Sequence, residues 1–342
     1  MPSDPVKALN ASMKAAASNG HVTNGHDPDF VGSIIAQLAA ANAHEAVLLA
    51  AANSFVDWAT FWDRDRREAD WCFPDVLARG RGHAIYAGHK TGKSLFMLHV
   101  AALIATGTDP NVVVYLDYEM GEDDLYERLD EMGYGPHSDL SRLRYALLPT
   151  LPPLDRPEGA KELDVILDKV LADYPGHHLV VIIDTTGRAV EGDENSADTI
   201  RAFYRWTGLG LKQRGATWAR LDHAGKDGTK GQRGTSAKGD DVDVIWQLSR
   251  TDDGLLLRRD SARMSWIPEK VTFHQGDEPL RFVQIACGYP SGTAEVAQLL
   301  DNLNVELYAS GTVAIAALKA NNTPKRKTVV LAALRSRKEK TR

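Results

Sequence analysis

The chain has 342 residues, 43% of them hydrophobic and 25% charged, which excludes collagen-like, low-complexity and wholly disordered chains and leaves room for about two domains of ~150 residues. The net charge of −6 excludes no partner by itself, yet nine of the last 24 residues are basic (Lys319, Lys325, Arg326, Lys327, Arg335, Arg337, Lys338, Lys340, Arg342) against one acid, Glu339. Cys72 and Cys287 stand far apart with no CxxC and no Cys/His cluster, so a disulfide framework or a zinc site is excluded and a reducing, cytoplasmic setting is expected.

Residues 1–28, rich in Ser, Asn, Gly, Asp and Pro, read as a flexible leader without a secretory pattern. Residues 29–70 form an N-terminal segment that opens with an Ala-rich helix from about Phe30 to Phe55, where Ile34, Leu38, Ala41, Leu48 and Leu49 fall near helical spacing. The apolar stretch Val31–Val56 is broken by Gln37, Asn42, His44, Glu45 and Asn53, which makes it a poor membrane span. Trp58, Phe61, Trp62, Trp71 and Phe73 follow, and core packing explains them better than base stacking, although Arg64, Arg66 and Arg67 lie among them.

From Gly82 the pattern alternates. Apolar runs at His83–Ala87, Val112–Asp117, Leu179–Asp184 and Ala216–Leu221 predict strands, and Lys93–Thr106, Glu122–Met132, Gly159–Tyr174 and Ser196–Arg214 predict helices. Strands buried on both faces and joined by helical crossovers imply an α/β fold with a mostly parallel sheet. Val242–Leu248, Leu255–Arg259 and Phe282–Ile285 lack intervening helices, so an antiparallel extension is expected, and the core is set at 71–289. After a Pro290–Gly292 linker, residues 290–342 carry three short helical patterns, Ala294–Leu303, Gly311–Ala320 and Pro324–Lys338. Thr293, Ser310 and Thr323 are expected as N-caps and Pro324 at a first helical position. A basic three-helix unit of this kind fits a helix-turn-helix that binds DNA through residues such as Lys325, Arg326 and Lys327, or a bundle used for subunit contacts.

The strongest motif is Ala87-Gly88-His89-Lys90-Thr91-Gly92-Lys93-Ser94, followed by Leu95. It leaves an apolar strand and opens an apolar helix, the context in which a P-loop cradles phosphates with backbone N–H groups and a helix N-terminus. Lys93 then reaches the β- and γ-phosphates and Ser94 a Mg²⁺ ion, so ATP and Mg²⁺ are the expected cofactors. Leu179–Asp184 has the Walker B form, with Asp184 orienting the metal. The strand VVVYLDYE ends in Asp117 and Glu119, and a carboxylate at that edge can polarise the attacking water. Glu119 is the first candidate base and Asp117 the second; the alternative for Glu119 is simple helix-N-terminal preference. His223, at the next strand end, stands where a sensor would meet the γ-phosphate. The Gly-rich segment 225–241 carries Lys226, Lys230, Arg233 and Lys238, candidate contacts to a nucleic-acid backbone.

The ordered set AGHKTGKS, VYLDYE, LVVIID, LDHAGKD and QRGTSAKGDDVDVIWQL resembles the RecA-type P-loop ATPases, nearest to the plasmid RepA-like and DnaB-like replicative helicases, from Trp71 to Phe282. The first P-loop position is Ala87 rather than Gly, a variation that family tolerates. The resemblance implies roles for Lys93 and Ser94 at the phosphates and metal, Glu119 as the water-activating acid, Asp184 as the Walker B acid and His223 as the sensor. It further implies a homo-oligomeric, hexameric ring with nucleotide between subunits, completed by an arginine of the neighbour, with Arg263 the best match and Arg233 the alternative. Expected function is therefore ATP hydrolysis coupled to DNA, single-stranded above all. The alternatives are an ATP-dependent DNA-binding regulator or loader and a recombinase-like filament former. A small-molecule kinase leaves Glu119 unexplained.

Overall fold

The computed structural model describes residues 55–63, 70–224, 239, 241–288 and 292–339, with the side chains of 286–288, 328 and 339 excepted. The expected leader, most of the Ala-rich helix, the linker and the loop residues Lys226, Lys230, Arg233 and Lys238 lie outside the described residues. Residues 1–66 and 67–342 make two compact units. In the first, helix α1 (Trp58–Phe61) is capped by the Asp57 carboxylate, which accepts from Ala59 N at 3.0 Å.

The aromatic stretch divides between the units. Trp71 packs edge-on against Trp266 and Phe73 stacks on Phe273, as core packing predicts. Trp58 and Trp62 depart from that expectation: their rings stack on each other and remain 64% and 70% exposed, because one turn of helix buries none of its own residues.

In the second unit, a small hairpin of β1 (Trp71–Phe73) and β2 (Leu77–Ala78) precedes the main sheet. The nucleotide-fold strands are β3 (Gly82–Ala87), β4 (Asn111–Asp117), β5 (Leu143–Leu147), β6 (His178–Asp184) and β7 (Thr217–His223). Antiparallel strands β8 (Val244–Thr251), β9 (Gly254–Ala262), β10 (Lys270–Asp277) and β11 (Leu280–Gly288) complete nine strands in the order β11-β10-β9-β8-β3-β7-β6-β4-β5. The strands β8-β3-β7-β6-β4-β5 run parallel, and β7 stands between the phosphate-loop strand and the Asp184 strand. This is the RecA-like α/β arrangement expected from the motifs.

The helices cover both faces because alternate strand residues bury on both. Helix α2 (Lys93–Thr106) lays Phe96, Met97, Val100 and Ala101 against Ile85, Val113, Ile182 and Leu221 on one face. On the other, helix α4 (Pro157–Asp173) packs Leu163, Leu167 and Val170 against Ala84, Val114 and Val181. Helix α3 (Glu122–Glu131) covers a smaller cluster around Leu98 and Met120. After the one-turn α5 (Thr186–Ala189), the predicted helix Ser196–Arg214 appears as α6 (Ala197–Phe203) and α7 (Leu209–Gln213), joined by a π turn at Tyr204–Gly208. Strands β5 and β10 escape a pattern search because Arg144 interrupts one and only Val271 and Phe273 are fully buried in the other.

At the carboxyl end, α8 (Thr293–Asn302), α9 (Gly311–Ala320) and α10 (Lys327–Glu339) enclose a separate core of Val296, Leu300, Ala314, Leu318, Val330 and Leu334. Ser310 caps α9, its Oγ accepting from Val313 N at 3.3 Å. The other two expected caps are corrected. Gly292, with φ of +86°, occupies the cap of α8 and Thr293 is the first helical residue. Thr323 instead donates to Leu318 O at 3.2 Å and closes the end of α9, so Pro324 lies in the connection and α10 starts three residues later. The basic run does not form one face: Arg335 pairs with buried Asp75 and lies over the Trp71 ring, and Arg337 pairs with Asp301 and donates to Val305 O. Lys325 reaches Glu295 at 2.7 Å, and Lys338 sits over Tyr308.

A fully buried ion triad stabilises the end of β7. Arg220 bonds both Asp222 and Asp241, all three within 4% exposure, and burial pushes the Asp241 carboxyl up to about 6. Removing the cation strands two acids in the core. Arg220→Met is expected to lower the unfolding free energy by about 3–5 kcal/mol, read from urea denaturation midpoints; a loss below about 1 kcal/mol contradicts the triad's role.

Candidate active site

Parallel strands bring their carboxyl ends to one rim, and the register fixes which ends meet. Ala87 pairs with His223 and Leu248, and Asp117 pairs with Asp184. The phosphate loop leaves this rim from Ala87 and turns into α2 at Gly92, whose φ of +96° demands glycine. Thr91 Oγ1 donates to Gly88 O at 2.8 Å and braces the loop.

Lys93 begins α2 and is 7% exposed. Its Nζ donates to Asp222 O at 2.9 Å. Burial pushes the ammonium below its ordinary value, and Asp184, Asp222 and Glu119 oppose that shift. One cleft is lined by Gly88 through Leu95 together with Glu119, Arg128, Thr185 and His223. An adjoining one is lined by Ser94, Asp117, Glu119, Asp124, Arg128 and Asp184. The structure thus brings together Lys93, Ser94, Glu119, Asp184 and His223 around a single loop.

The two acids after β4 have different surroundings. Asp117 is 1% exposed; its Oδ1 accepts from Glu119 N (2.8 Å) and Met120 N (3.0 Å), and its Oδ2 accepts from the Tyr145 hydroxyl. Asp117 therefore builds the turn that aims Glu119, and its lone pairs are engaged. Glu119 lies outside α3, whose first turn already holds Glu122, Asp123 and Asp124. Helix-end preference does not account for a carboxylate that lines both clefts. Its Oε1 accepts from Thr185 Oγ1 at 3.2 Å, with Arg188 Nε 3.8 Å away.

Asp184 is 1% exposed, and its Oδ2 accepts from the Tyr115 hydroxyl at 2.8 Å, while Oδ1 is buried with no hydrogen bond among the described residues. Burial pushes this carboxyl up to about 6, against the pull of the nearby Tyr115 and Ser94 hydroxyls and Lys93. A bare carboxylate oxygen beside a serine hydroxyl is a hard-oxygen pair that suits Mg²⁺, an ion held by one or two protein oxygens plus phosphates and water. No group of three or more His, Cys, Asp or Glu able to hold a metal occurs among the described residues, which fits a site that depends on phosphate oxygens.

His223 ends β7, with its ring stacked on His89 of the loop at 5.1 Å and 18°. Burial, with Lys93 next, holds the imidazole below its usual value, so it is neutral at physiological pH. Arg263 stands elsewhere: it follows β9 at the end where Ala262 pairs with Val244, near the start of β3, and its Nε lies 3.8 Å from Asp243. It does not reach the phosphate loop of its own chain. Two arginines escaped the sequence reading. Arg128 of α3 lines both clefts, and its Nη1 is buried without a hydrogen bond among the described residues. Arg250 Nη2 lies 3.6 Å from where a Cβ would stand on Gly92. Only the i+9 spacing of Arg128 from Glu119, half a helix beyond the strand, could have signalled the first.

The raised carboxyl of Asp184 has a consequence for stability without magnesium. A folded-state value above the unfolded one favours folding below about pH 4 and loses that contribution as pH rises through about 6. In EDTA, Asp184→Asn is therefore expected to stabilise the protein at pH 7.5 by up to about 3 kcal/mol more than at pH 4.5. Thermal unfolding of both proteins at both pH values checks this, and an equal effect at the two values contradicts it.

A family model described as "AAA domain" (AAA_25) matches residues 45–229. A search of curated proteins finds no match. Among solved structures, the ATPase domain of a DnaB-like phage helicase aligns with 15% sequence identity over 61% of this chain and 86% of that one, with a TM-score of 0.47. The family match spans more than half of the 342 residues and includes the phosphate loop, Glu119, Asp184 and His223. With a RecA-like sheet carrying a phosphate loop and two acids on one rim, this chain belongs to the AAA domain family of P-loop ATPases.

Proposed function

We propose that the protein hydrolyses ATP and couples hydrolysis to nucleic acid, as a RepA- or DnaB-like replication ATPase that assembles into a ring. The observation that carries the ATPase reading is the convergence of Lys93, Glu119, Asp184 and His223 on the cleft walled by the phosphate loop. Lys93, with Arg128 facing it across the cleft, supplies positive charge to the phosphates. Ser94 and Asp184 Oδ1 would hold Mg²⁺, which when bound neutralises phosphate charge and fixes the triphosphate. Glu119 orients and deprotonates the attacking water. Neutral His223 donates a hydrogen bond to the γ-phosphate and loses it on cleavage. Arg263, unable to reach its own loop, serves the nucleotide of a neighbouring copy, with Arg233 the alternative.

Single-stranded DNA is the partner this reading favours, through Lys226, Lys230, Arg233 and Lys238. No helix among the described residues is long and apolar enough to cross a membrane. Two substitutions test the chemistry. Lys93→Ala is expected to abolish ATP binding. Glu119→Gln should bind ATP with near-normal affinity but hydrolyse it at least ~100-fold more slowly, measured by filter binding and phosphate release with and without a single-stranded oligonucleotide. Normal turnover in Glu119→Gln removes the assignment.

A second reading, a DNA-binding regulator with slow turnover, draws on the carboxyl-terminal helices, where Lys319, Arg326 and Lys327 are exposed at the α9–α10 connection. Changing Lys325, Arg326 and Lys327 together to Ala should weaken duplex binding and reduce the slope of log K against log salt by roughly two to three. An unchanged slope argues against a phosphate contact there.

A further inference from the structure

Glu119 is held in a way the catalytic reading leaves unexplained. Its Oε1 receives the Thr185 hydroxyl at 3.2 Å and the Arg188 guanidinium at 3.8 Å. Both partners come from the turn that follows the Walker B strand, Thr185 directly after Asp184 and Arg188 on the single-turn α5. That turn is firmly seated. Thr186 Oγ1 donates to Leu221 O, Ala189 N and Arg188 N both donate to Thr185 O, and Ala189 O accepts from Leu154 N. Only the Arg188 side chain leaves it: the backbone is fixed, but the side chain is 70% exposed, against 39% for Glu119. The pair has little to do with holding the fold. An exposed ion pair at this separation contributes little, so a competing anion of comparable charge density displaces it readily.

We propose that Arg188 is a positioning residue that restrains the Glu119 carboxylate, and that a backbone phosphate of bound nucleic acid draws the guanidinium away and frees Glu119 to face the attacking water. The inference rests on the reading of Glu119 as the base. Arg188 can do this because it joins two environments. Its anchor lies one turn from Asp184 at the nucleotide, and its guanidinium lies in solvent where a strand can reach it. A phosphate can form a bidentate, charge-assisted contact with a guanidinium, which outcompetes a single 3.8 Å approach to a carboxylate. Thr185 keeps Glu119 near the site after release, because its hydroxyl is set by the buried backbone next to Asp184. No bond is made or broken in this step; it changes only which anion the guanidinium faces.

The test compares steady-state ATP hydrolysis by the full chain, wild type and Arg188→Gln, with and without a (dT)40 oligonucleotide. Without DNA, Arg188→Gln is expected to raise kcat two- to five-fold with KM for ATP unchanged, a change equivalent to about 0.4–1 kcal/mol. Its stimulation by (dT)40 should shrink by the same factor, and Arg188→Lys should restore both the low basal rate and the stimulation. A purely structural role for Arg188 does not raise kcat. A basal kcat that stays level or falls, a wild type that (dT)40 does not stimulate, or equal stimulation of both proteins overturns the proposal. Glu119→Gln separates the two claims: if it still turns over normally, the base assignment itself has failed, whereas its inactivity together with an unresponsive Arg188→Gln removes the restraint alone.

Discussion

Everything at this rim follows from a buried ammonium. Lys93 is withdrawn from water, bonded to the Asp222 carbonyl, and surrounded by the negative fields of Asp184, Asp222 and Glu119. Removing a lone cation from water costs far more than a single contact returns, so the acids around it are a requirement of the fold as much as of the chemistry. Those acids can gather only because parallel strands end on the same side. The β4–β6 pairing sets Asp117 opposite Asp184, and the β3–β7 pairing brings His223 beside the start of the phosphate loop. A triphosphate entering this ring of charge finds Lys93, Arg128 and Arg250 on its borders and an acid positioned on the side from which water must approach.

Behind the acids stands a second layer that the motifs do not announce. Tyr115 and Tyr145 stack at 4.8 Å and 16°, and each hydroxyl serves a different carboxylate, Tyr115 that of Asp184 and Tyr145 that of Asp117. Both phenols are pushed well above their ordinary value by burial and by the adjoining acids, so they remain donors across the physiological range. Asp117 converts this support into geometry. By accepting from two successive backbone N–H groups it turns the chain at Tyr118 and delivers Glu119 to the cleft. One carboxylate is thus spent on shape so that its neighbour two residues on is available for chemistry.

Much of this was legible in the residues. Val112–Asp117 and Leu179–Asp184 read as strands because uninterrupted apolar runs of that length have few other destinations, and Lys93–Thr106 matches its predicted span residue for residue. The sites carried by local motifs were equally plain, since Gly88–Ser94 encodes both its loop and its ligand. What escaped depends on distant partners. Arg128 is one charge among several on a polar helix, and nothing in EDDLYERLDE reveals which side meets the phosphate loop. The basic carboxyl-terminal run misled for the same reason. A count of charges does not show that Arg335 is committed to Asp75, 260 positions earlier, or Arg337 to Asp301. Thr323 and Pro324 looked like a helix start, but the hydroxyl closes the preceding helix instead.

The Asp75 turn ties together segments that the chain keeps far apart. Its carboxylate receives Arg335 from α10 and the Gln284 amide from β11 at 2.6 Å, and the next residue, Val76, offers its carbonyl to the indole of Trp246 in β8 at 3.1 Å. The three terminal helices are consequently bolted to the ATPase body through a buried acid rather than trailing from it on a tether. Any load applied to those helices is delivered to the β1–β2 turn and onward to β8, the strand that flanks the phosphate loop on the side away from β7. The appended unit and the nucleotide cleft share one mechanical frame, with Asp75 as its rivet.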